Sequence, residues 1–359
     1  MMALGVTLTA CEDDDDKLDD TGSQVELPDT RAYILYEGSS TKNNAGIAFY
    51  APNKDADFYS NIFLKQNSKQ LGDTGQSIVE EDGKIYVAVF GSNYIARLNA
   101  ACVEKGRVSF VGDAELSGGV RYMAVEDGYI YASFHGGAVA KISARTLKVE
   151  KKLTGLGDNL EAVVINDGLL YVANSCKADW SVYHKEIKVI NLKDFTLKET
   201  ITTLNQNPYK PMLEEDDKIF FISNDYDSVE GYVLQMIDTK NGNKVSKVGI
   251  ASLMDEYEGT LYLINSVTDW TTRETTNTFF SYDIKKGEMN DSSFLKNAPA
   301  ELTSKGIYMI QLNPNNGDIY IATSDYVTNG TIYRFRNDGS FVESFDAGGL
   351  NPSSMVFFN

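Results

Sequence analysis

The chain has 359 residues, of which 42% are hydrophobic and 11% aromatic, and its formal net charge is −18. Such an acidic surface repels phosphate backbones, which argues against a nucleic-acid partner. No apolar run is long enough to cross a membrane, and the many aromatic residues favour strands over helices.

The N-terminal segment has two interpretations. Residues 1–11 end in Leu8-Thr9-Ala10-Cys11, which matches a lipobox, and the apolar residues before it fit the end of a signal peptide, so we predict a lipidated Cys11. The alternative is that DDDDK, residues 13–17, is a protease site from an expression tag, but no vector sequence precedes it. Residues 12–30 are rich in acids, and we predict an acidic flexible tether there.

Beyond residue 30 the sequence repeats one pattern of an apolar strand, an acidic tight turn and a strand with an aromatic residue. Asp82-Gly83, Asp127-Gly128, Asp167-Gly168 and Asn316-Gly317 have the composition of hairpin turns that need positive φ. Asp216-Asp217 takes the same place in one repeat. The aromatic residues that mark the six repeats are Tyr86, Tyr131, Tyr171, Phe220, Tyr262 and Tyr320.

Each repeat continues with a third and a fourth strand, and four antiparallel strands every 40 to 58 residues form a β-propeller blade. Before the first full repeat, RAYILYEG, AGIAFYAP and DFYSNIF supply three more predicted strands. The last segment, NPSSMVFFN, is a single strand, and placing it inside those three closes the ring. The sequence therefore predicts an all-β fold over residues 31–359: a seven-bladed β-propeller with four antiparallel strands per blade.

Cysteine and histidine are scarce. The three cysteines, Cys11, Cys102 and Cys176, include no CxxC pair, and the only histidines are His135 and His184. This inventory argues against a disulfide framework and against a zinc or histidine-rich metal site. We expect no cofactor and no resident metal.

The blade pattern resembles the YncE-like seven-bladed propellers. The resemblance rests on the DGxIYVA-type turns and on the connections INLKDFTLKET and IDTKNGNKVSKV, and it covers nearly the whole chain after residue 30. Together with the lipobox and the acidic run, which resembles a signal for export to the cell surface, it is most similar to the BtuG group of surface lipoproteins. That resemblance implies a lipid-anchored protein on the outer membrane that captures cobalamin, or a related corrinoid, for a TonB-dependent transporter.

Register places a candidate site at one mouth of the channel. Polar residues head the inner strands of successive repeats, and tyrosines lie beside them, so they converge. The alternative is that the charged residues pair with each other or are solvated. This inner set is Gln76, Arg121, Tyr122, Glu161, Tyr209, Lys210 and Tyr308.

The loops after the second strands add an outer set on the same side. Exposed tryptophan is costly, so Trp180 and Trp270 in long loops indicate a contact surface, unless they pack on their own blades. Asn174 and Asn224 lie at the bases of two loops, where they either donate hydrogen bonds to a ligand or close the local turn. The remaining members are Tyr183, Tyr226 and Tyr326 in long loops, and Phe134 and His135 on the low side of the rim.

Three functions fit this arrangement. The first is binding of a bulky small molecule, and it requires no catalytic residue. The second is a lactonase or polysaccharide lyase, in which Glu161 with Asn174 or Asn224 imitates a metal site; the sequence has no histidine cluster and no GxSxG motif to support it. The third is glycan or protein adhesion. The poor inventory of nucleophile and base pairs favours a binding protein over an enzyme.

Overall fold

The computed structural model describes residues 18–269 and 271–359. The predictions of a lipobox at Cys11, of the first part of the tether and of a contact role for Trp270 fall outside the described residues.

Seven antiparallel sheets follow one another along the chain. Blade 1 contains β1 (Arg31–Tyr36), β2 (Gly46–Tyr50) and β27 (Pro352–Phe358). Blade 2 contains β3 (Gly75–Glu81), β4 (Lys84–Val89), β5 (Tyr94–Asn99) and β6 (Glu104–Ser109). Blade 3 contains β7 (Val120–Glu126), β8 (Tyr129–Phe134), β9 (Ala138–Ser143) and β10 (Val149–Leu153). Blade 4 contains β11 (Leu160–Asn166), β12 (Leu169–Cys176), β13 (Tyr183–Asn191) and β14 (Thr196–Thr202).

The other three blades have the same order of strands. Blade 5 contains β15 (Pro208–Glu215), β16 (Lys218–Asp225), β17 (Gly231–Asp238) and β18 (Lys244–Gly249). Blade 6 contains β19 (Leu253–Tyr257), β20 (Thr260–Thr268), β21 (Thr275–Asp283) and β22 (Glu288–Asn290). Blade 7 contains β23 (Ile307–Leu312), β24 (Ile319–Thr323), β25 (Thr331–Phe335) and β26 (Phe341–Asp346). The helix α1 (Ile62–Asn67) and short 3-10 helices at Thr239–Asn241 and Ala300–Thr303 lie between strands.

The predicted seven-bladed propeller is confirmed. The first strands of blades 2 to 7 and the C-terminal strand β27 contact their neighbours in a closed ring around the channel. β27 pairs antiparallel with β1 from Arg31 opposite Phe358 to Tyr36 opposite Pro352, as predicted for the closing strand. Met355, Val356, Phe357 and Phe358 are buried by this pairing, so the closure contributes apolar core as well as hydrogen bonds.

The prediction of a strand at DFYSNIF is wrong. Tyr59 makes only a bridge to Phe49 in the position of a fourth strand, and the chain then enters α1. Asn61 caps this helix, because its side-chain oxygen accepts from the Leu64 N–H at 2.9 Å, and Ser68 ends it in the left-handed region. Ile62 and Phe63 on the helix are fully buried against blade 1, where outer-strand side chains would otherwise pack.

The acidic turns explain why the sequence pattern predicted the hairpins. Asp82, Asp127 and Asp167 have φ near +50° and are each followed by a glycine at positive φ, which is the geometry of a type I′ turn. Asp216 and Asp217 adopt the same geometry without glycine. The Asn316-Gly317 turn is different, because only Gly317 has a positive φ.

The prediction of a flexible tether is wrong for residues 18–30, because they pack on the propeller instead of extending from it. Leu18, Val25 and Leu27 lie against the core of blades 1 and 2. Asp20 accepts from the buried Arg31 guanidinium at 2.8 and 3.0 Å. The apolar residues within this acidic stretch give it enough surface to bury, which its charge alone does not suggest.

Candidate ligand-binding mouth of the central channel

A cavity of about 580 Å³ occupies the central channel, and the inner strands of all seven blades line it. The channel mouth is defined here as the end at which these inner strands begin. The antiparallel register brings the loop after each second strand to the same end, as where Pro208 lies opposite Ser223 and Val120 opposite Phe134. The predicted inner and outer sets therefore share one face of the propeller.

Arg121 and Glu161 form a buried ion pair at the mouth. The Arg121 Nε and Nη2 groups donate to Glu161 Oε2 at 2.9 and 2.7 Å, and Glu161 is fully buried. His135 Nε2 lies 2.8 Å from the other carboxylate oxygen, and Arg121 also donates to the Gln76 side-chain oxygen. Burial lowers the pKa of Arg121, but the Glu161 charge and the neighbouring Tyr122 and Tyr209 together outweigh it, so the net direction is upward. Of the two alternatives for the charged residues, mutual pairing is therefore observed for Arg121 and Glu161.

Lys210 lies beside them in a different environment. Its ammonium is 5.9 and 5.6 Å from the ring centroids of Tyr209 and Tyr308, and its side chain is 28% exposed. The nearest carboxylate oxygen, Glu37 Oε1, is 3.9 Å away, which is too long for a direct hydrogen bond. Burial opposes the charged form of Lys210, but Tyr122 and Glu37 raise its pKa well above the usual value. Lys210 is thus a cation at neutral pH.

Glu37 also belongs to the mouth, although it was not among the residues predicted from the sequence. This residue follows β1 directly and reaches into the mouth, where Tyr308 donates its hydroxyl proton to Glu37 Oε2 at 2.6 Å. The backbone fixes its position, because the Glu37 N–H donates to the Asn351 carbonyl and the Glu37 carbonyl accepts from Gly75. The sequence signal that could have identified it is its position at the start of a long loop, EGSSTKNNAG.

The aromatic rim is defined as Trp180, Tyr183, Tyr226 and Tyr326, from the loops of blades 4, 5 and 7. Trp180, Tyr226 and Tyr326 are 52%, 63% and 57% exposed, so they are free to contact a partner. The rings of Tyr183 and Tyr226 lie 5.3 Å apart, and Tyr326 packs edge-on against Tyr308 at 5.8 Å. The rim is therefore continuous with the polar mouth through Tyr308.

Two predicted contact residues are placed elsewhere. Phe134 is fully buried, with its ring 4.8 Å from that of Phe110, so the prediction that it borders the mouth is wrong. Its side chain lies in the apolar cluster between blades 2 and 3, where it packs on Phe110. Asn174 is also buried and donates to Glu186 at 2.8 Å, which corrects its predicted role at the mouth. Asn224 does line the cavity and donates to the Tyr226 hydroxyl at 2.8 Å.

Farther along the channel, Asp255 is a second residue that sequence reasoning missed. Its Oδ2 accepts from the Leu312 N–H at 2.6 Å and from the Gln311 side chain at 2.9 Å. Burial nevertheless raises the pKa of Asp255 to about 7, although these hydrogen bonds act in the opposite direction. The channel therefore carries a carboxyl group that changes charge near neutral pH.

The described part of the chain contains no cluster of three or more histidine, cysteine, aspartate or glutamate residues able to hold a metal ion. Both oxygens of Glu161, the acid considered for a lactonase, are engaged by Arg121 and His135. No helix among the described residues has the length and hydropathy of a membrane span.

Comparison with known proteins bears on the fold. No protein-family profile matches the chain, and no curated protein matches it. A solved quinonprotein alcohol dehydrogenase-like protein from Bacteroides thetaiotaomicron is similar with a TM-score of 0.65 at 16% identity, covering 91% of this chain and 78% of the other. The structures titled U3-55K and RRP9 WD40 repeats are similar with TM-scores of 0.52 and 0.53 at 11% identity, each over 74% of this chain and 79% and 78% of the others.

Likeness at such low identity shows the fold alone, because propellers of one architecture serve many functions. The chain is a seven-bladed β-propeller with quinoprotein-like and WD40-like structural neighbours.

Proposed function

We propose that this propeller is a surface-exposed lipoprotein of the outer membrane that binds a bulky small molecule, best a cobalamin or related corrinoid, and delivers it to a TonB-dependent transporter. The observation that carries the proposal is the exposed aromatic rim next to a mouth of buried, oriented polar groups. Sites for small molecules combine apolar walls with a few placed polar groups in this way. The proposed activity is binding, and no catalytic group is required for it.

The shape of the mouth suits a broad ligand better than a narrow one. A corrin ring would lie across the mouth on Trp180, Tyr226 and Tyr326 and project a substituent into the 580 Å³ cavity. Its peripheral amides would face Lys210, Glu37 and Asn224, which offer both donors and acceptors. The surface location rests on the lipobox at Cys11 and on the acidic run after it.

Calorimetric titration of the purified protein with cyanocobalamin tests the proposal. We expect saturable one-to-one binding in the parent protein and a loss of at least about tenfold in affinity when Tyr226 and Tyr326 are both changed to alanine, because aromatic anchors of a binding site contribute ~2 kcal/mol or more. A parent protein that shows no binding of cyanocobalamin in this titration would refute the corrinoid assignment.

Protein or glycan adhesion is the second candidate. The observation that favours it is the full exposure of Val229 and Val327 at the tips of the loops that carry Tyr226 and Tyr326. Apolar tips of this kind suit a protein partner, including the proposed transporter, more than they suit a small ligand. Binding to a glycan array separates the glycan form of adhesion from corrinoid binding, because only a glycan-binding propeller gives a saturable signal there.

A further inference from the structure

We infer that Lys210 and Glu37 form a subsite for one primary carboxamide group of the ligand. The inference deepens the proposed binding function and rests on it for the identity of the whole ligand. The chemistry of the subsite itself follows from the unfilled hydrogen-bonding capacity, the separation and the charge of these two groups.

Lys210 supplies donors that nothing in the protein uses. Within the described residues, its ammonium has no acceptor at hydrogen-bonding distance, and the closest carboxylate oxygen is 3.9 Å away. An ammonium carries three donors and no acceptor. Because the pKa of Lys210 is raised rather than lowered, all three donors are present at neutral pH, in the wall of the cavity.

Glu37 supplies the matching acceptor. Its Oε2 is taken by the Tyr308 hydroxyl at 2.6 Å, which leaves Oε1, the oxygen that faces Lys210, available. Backbone hydrogen bonds to Asn351 and from Gly75 hold the residue in place. The donor and the acceptor are therefore positioned in advance, and the 3.9 Å gap between them is wide enough for both to bond one flat group lying alongside.

Charge balance decides which group fits. Among the described residues of the mouth, the cation Arg121 faces the carboxylate Glu161 and the cation Lys210 faces the carboxylate Glu37, so each of these two pairs is balanced in charge. A ligand carboxylate at Lys210 would lie against Glu37, and a ligand ammonium at Glu37 would lie against Lys210. A primary amide avoids both conflicts, because its carbonyl oxygen accepts from Lys210 while its NH₂ group donates to Glu37.

The neighbouring rings fit a planar group. Tyr209 and Tyr308 both lie within 6 Å of the Lys210 ammonium, at 5.9 and 5.6 Å from their centroids. An amide bound at Lys210, or an aromatic ring attached to it, would lie near these rings and could stack on them. The subsite thus selects a neutral planar carboxamide over a carboxylate or a ketone.

Three ligands of nearly equal shape test this selection without using a corrinoid. Benzamide donates and accepts, benzoate accepts and is charged, and acetophenone accepts only. Titrations followed by saturation-transfer NMR on the full chain should give an affinity for benzamide at least about tenfold higher than for the other two. Equal or tighter binding of benzoate, or no binding of benzamide at millimolar concentration, would overturn the subsite.

Two substitutions test whether Lys210 and Glu37 are the residues that select the carboxamide. Lys210→Met keeps the length of the side chain and removes the donors, so the tenfold preference should disappear, while Lys148→Ala on the opposite face should retain it. Glu37→Gln, which removes the charge beside the ammonium, should reduce the penalty on benzoate at least about threefold. A tenfold preference that is unchanged in both Lys210→Met and Glu37→Gln, with both variants folded by circular dichroism, would place amide recognition elsewhere.

Competition then identifies the source of the amide. Displacement of benzamide by cyanocobalamin would assign the group to a corrinoid side chain. Displacement by N-acetylglutamine N-methylamide, whose one primary carboxamide is the side chain, without displacement by cyanocobalamin would assign it to a polypeptide side chain, and the carboxamide subsite would stand while the cobalamin proposal failed.

Discussion

At the channel mouth, Arg121, Glu161 and His135 serve mainly to hold each other in place. Their hydrogen bonds occupy both Glu161 oxygens and most of the guanidinium face. A ligand therefore meets a rigid floor there, and free hydrogen-bonding capacity is left at Lys210 and Glu37. Binding sites whose polar groups are oriented before binding lose less entropy when the ligand arrives.

Glu161→Gln tests the structural role of this floor. The substitution leaves the Arg121 cation buried without a full counter-charge, and removal of one partner from a buried pair costs about 3–5 kcal/mol. We expect the free energy of unfolding, measured by urea denaturation, to fall by an amount of that order. Glu115→Gln, which breaks an exposed pair with Lys152, should cost less than about 1 kcal/mol. Equal losses in the two variants would contradict the assignment.

Asp255 makes the stability of the propeller depend on pH. Its pKa is raised from 3.8 to about 7 by burial, so the folded protein holds this proton more tightly than the unfolded chain does. The stabilisation is complete below pH about 4 and is lost as the pH rises through 7. Asp255→Asn keeps a neutral group at all pH values.

We therefore expect the melting temperature of Asp255→Asn to fall less than that of the parent between pH 5 and pH 8. Differential scanning calorimetry at the two pH values measures this difference. The exposed Asp291→Asn serves as the control and should follow the parent. Parallel changes in the parent and in Asp255→Asn would show that this carboxyl does not titrate in the range.

Among the elements, the loop between β12 and β13 carries Trp180, the one tryptophan among the described residues. Trp180 is 52% exposed and its backbone lies at φ +61°, held by a hydrogen bond from its N–H to the Lys177 carbonyl. Trp180→Ala should weaken cyanocobalamin binding at least about tenfold and leave the melting temperature nearly unchanged. We predict the same for Trp270→Ala, which lies outside the described residues.

Calorimetric titration and thermal melting check both substitutions. Lys148→Ala is the matched control, because Lys148 lies in a turn between third and fourth strands, beside the β7–β8 turn at the other end of the blade. Affinity that stays at the parent value in both tryptophan variants would remove both tryptophans from the site.

The closing strand β27 is the element on which the ring depends. Phe358 is 5% exposed and its ring lies 5.9 Å from that of Tyr33 on β1. Phe358→Ala should lower the free energy of unfolding by about 3–5 kcal/mol, and deletion of residues 351–359 should abolish folding. Phe58→Ala, at a side chain that is 39% exposed, provides the comparison and should cost much less. A deletion variant that melted like the parent would show that the ring closes in another way.

For the whole molecule, the turn chemistry made the fold predictable. An aspartate followed by glycine at positive φ marks the hairpin of blades 2, 3 and 4, and the pattern also extends to Glu258-Gly259 in blade 6, which the sequence-based analysis did not single out. Because each turn fixes where its two strands begin and end, the turns also predicted which residues of successive inner strands correspond. That correspondence placed Arg121, Glu161 and Lys210 together at one mouth. Local rules that agree with the global fold allow this kind of inference.

Features set by tertiary contact were not predictable in the same way. Glu37 reaches the mouth only because Asn351, more than 300 positions away, fixes its backbone. Phe134 is buried because it packs on Phe110 of the neighbouring blade, and residues 18–30 are held by Arg31 and by three apolar side chains. None of these contacts leaves a periodic signal in the sequence.

The predicted anchor at Cys11 determines where the whole molecule works. Cys11→Ala removes the residue that acylation requires, so we expect an unprocessed precursor and no surface labelling of intact cells. Biotinylation of whole cells followed by immunoblotting measures both effects. Cys102→Ala provides the control, because Cys102 is fully buried in blade 2 and its loss should change folding yield rather than surface location. Surface labelling that persists in Cys11→Ala would refute the anchor.

The pairing of β1 with β27 also has a consequence for how the protein is made. Synthesis and export both present the chain from its N-terminal end, so β1 appears more than 300 residues before β27, the strand that covers its inner edge. During that time the backbone donors and acceptors of Arg31–Tyr36 are open on one side, and an open strand edge pairs readily with other chains. The chain therefore stays vulnerable until the seven-residue strand β27 has emerged, and a premature stop codon before β27 yields a product whose first blade never closes.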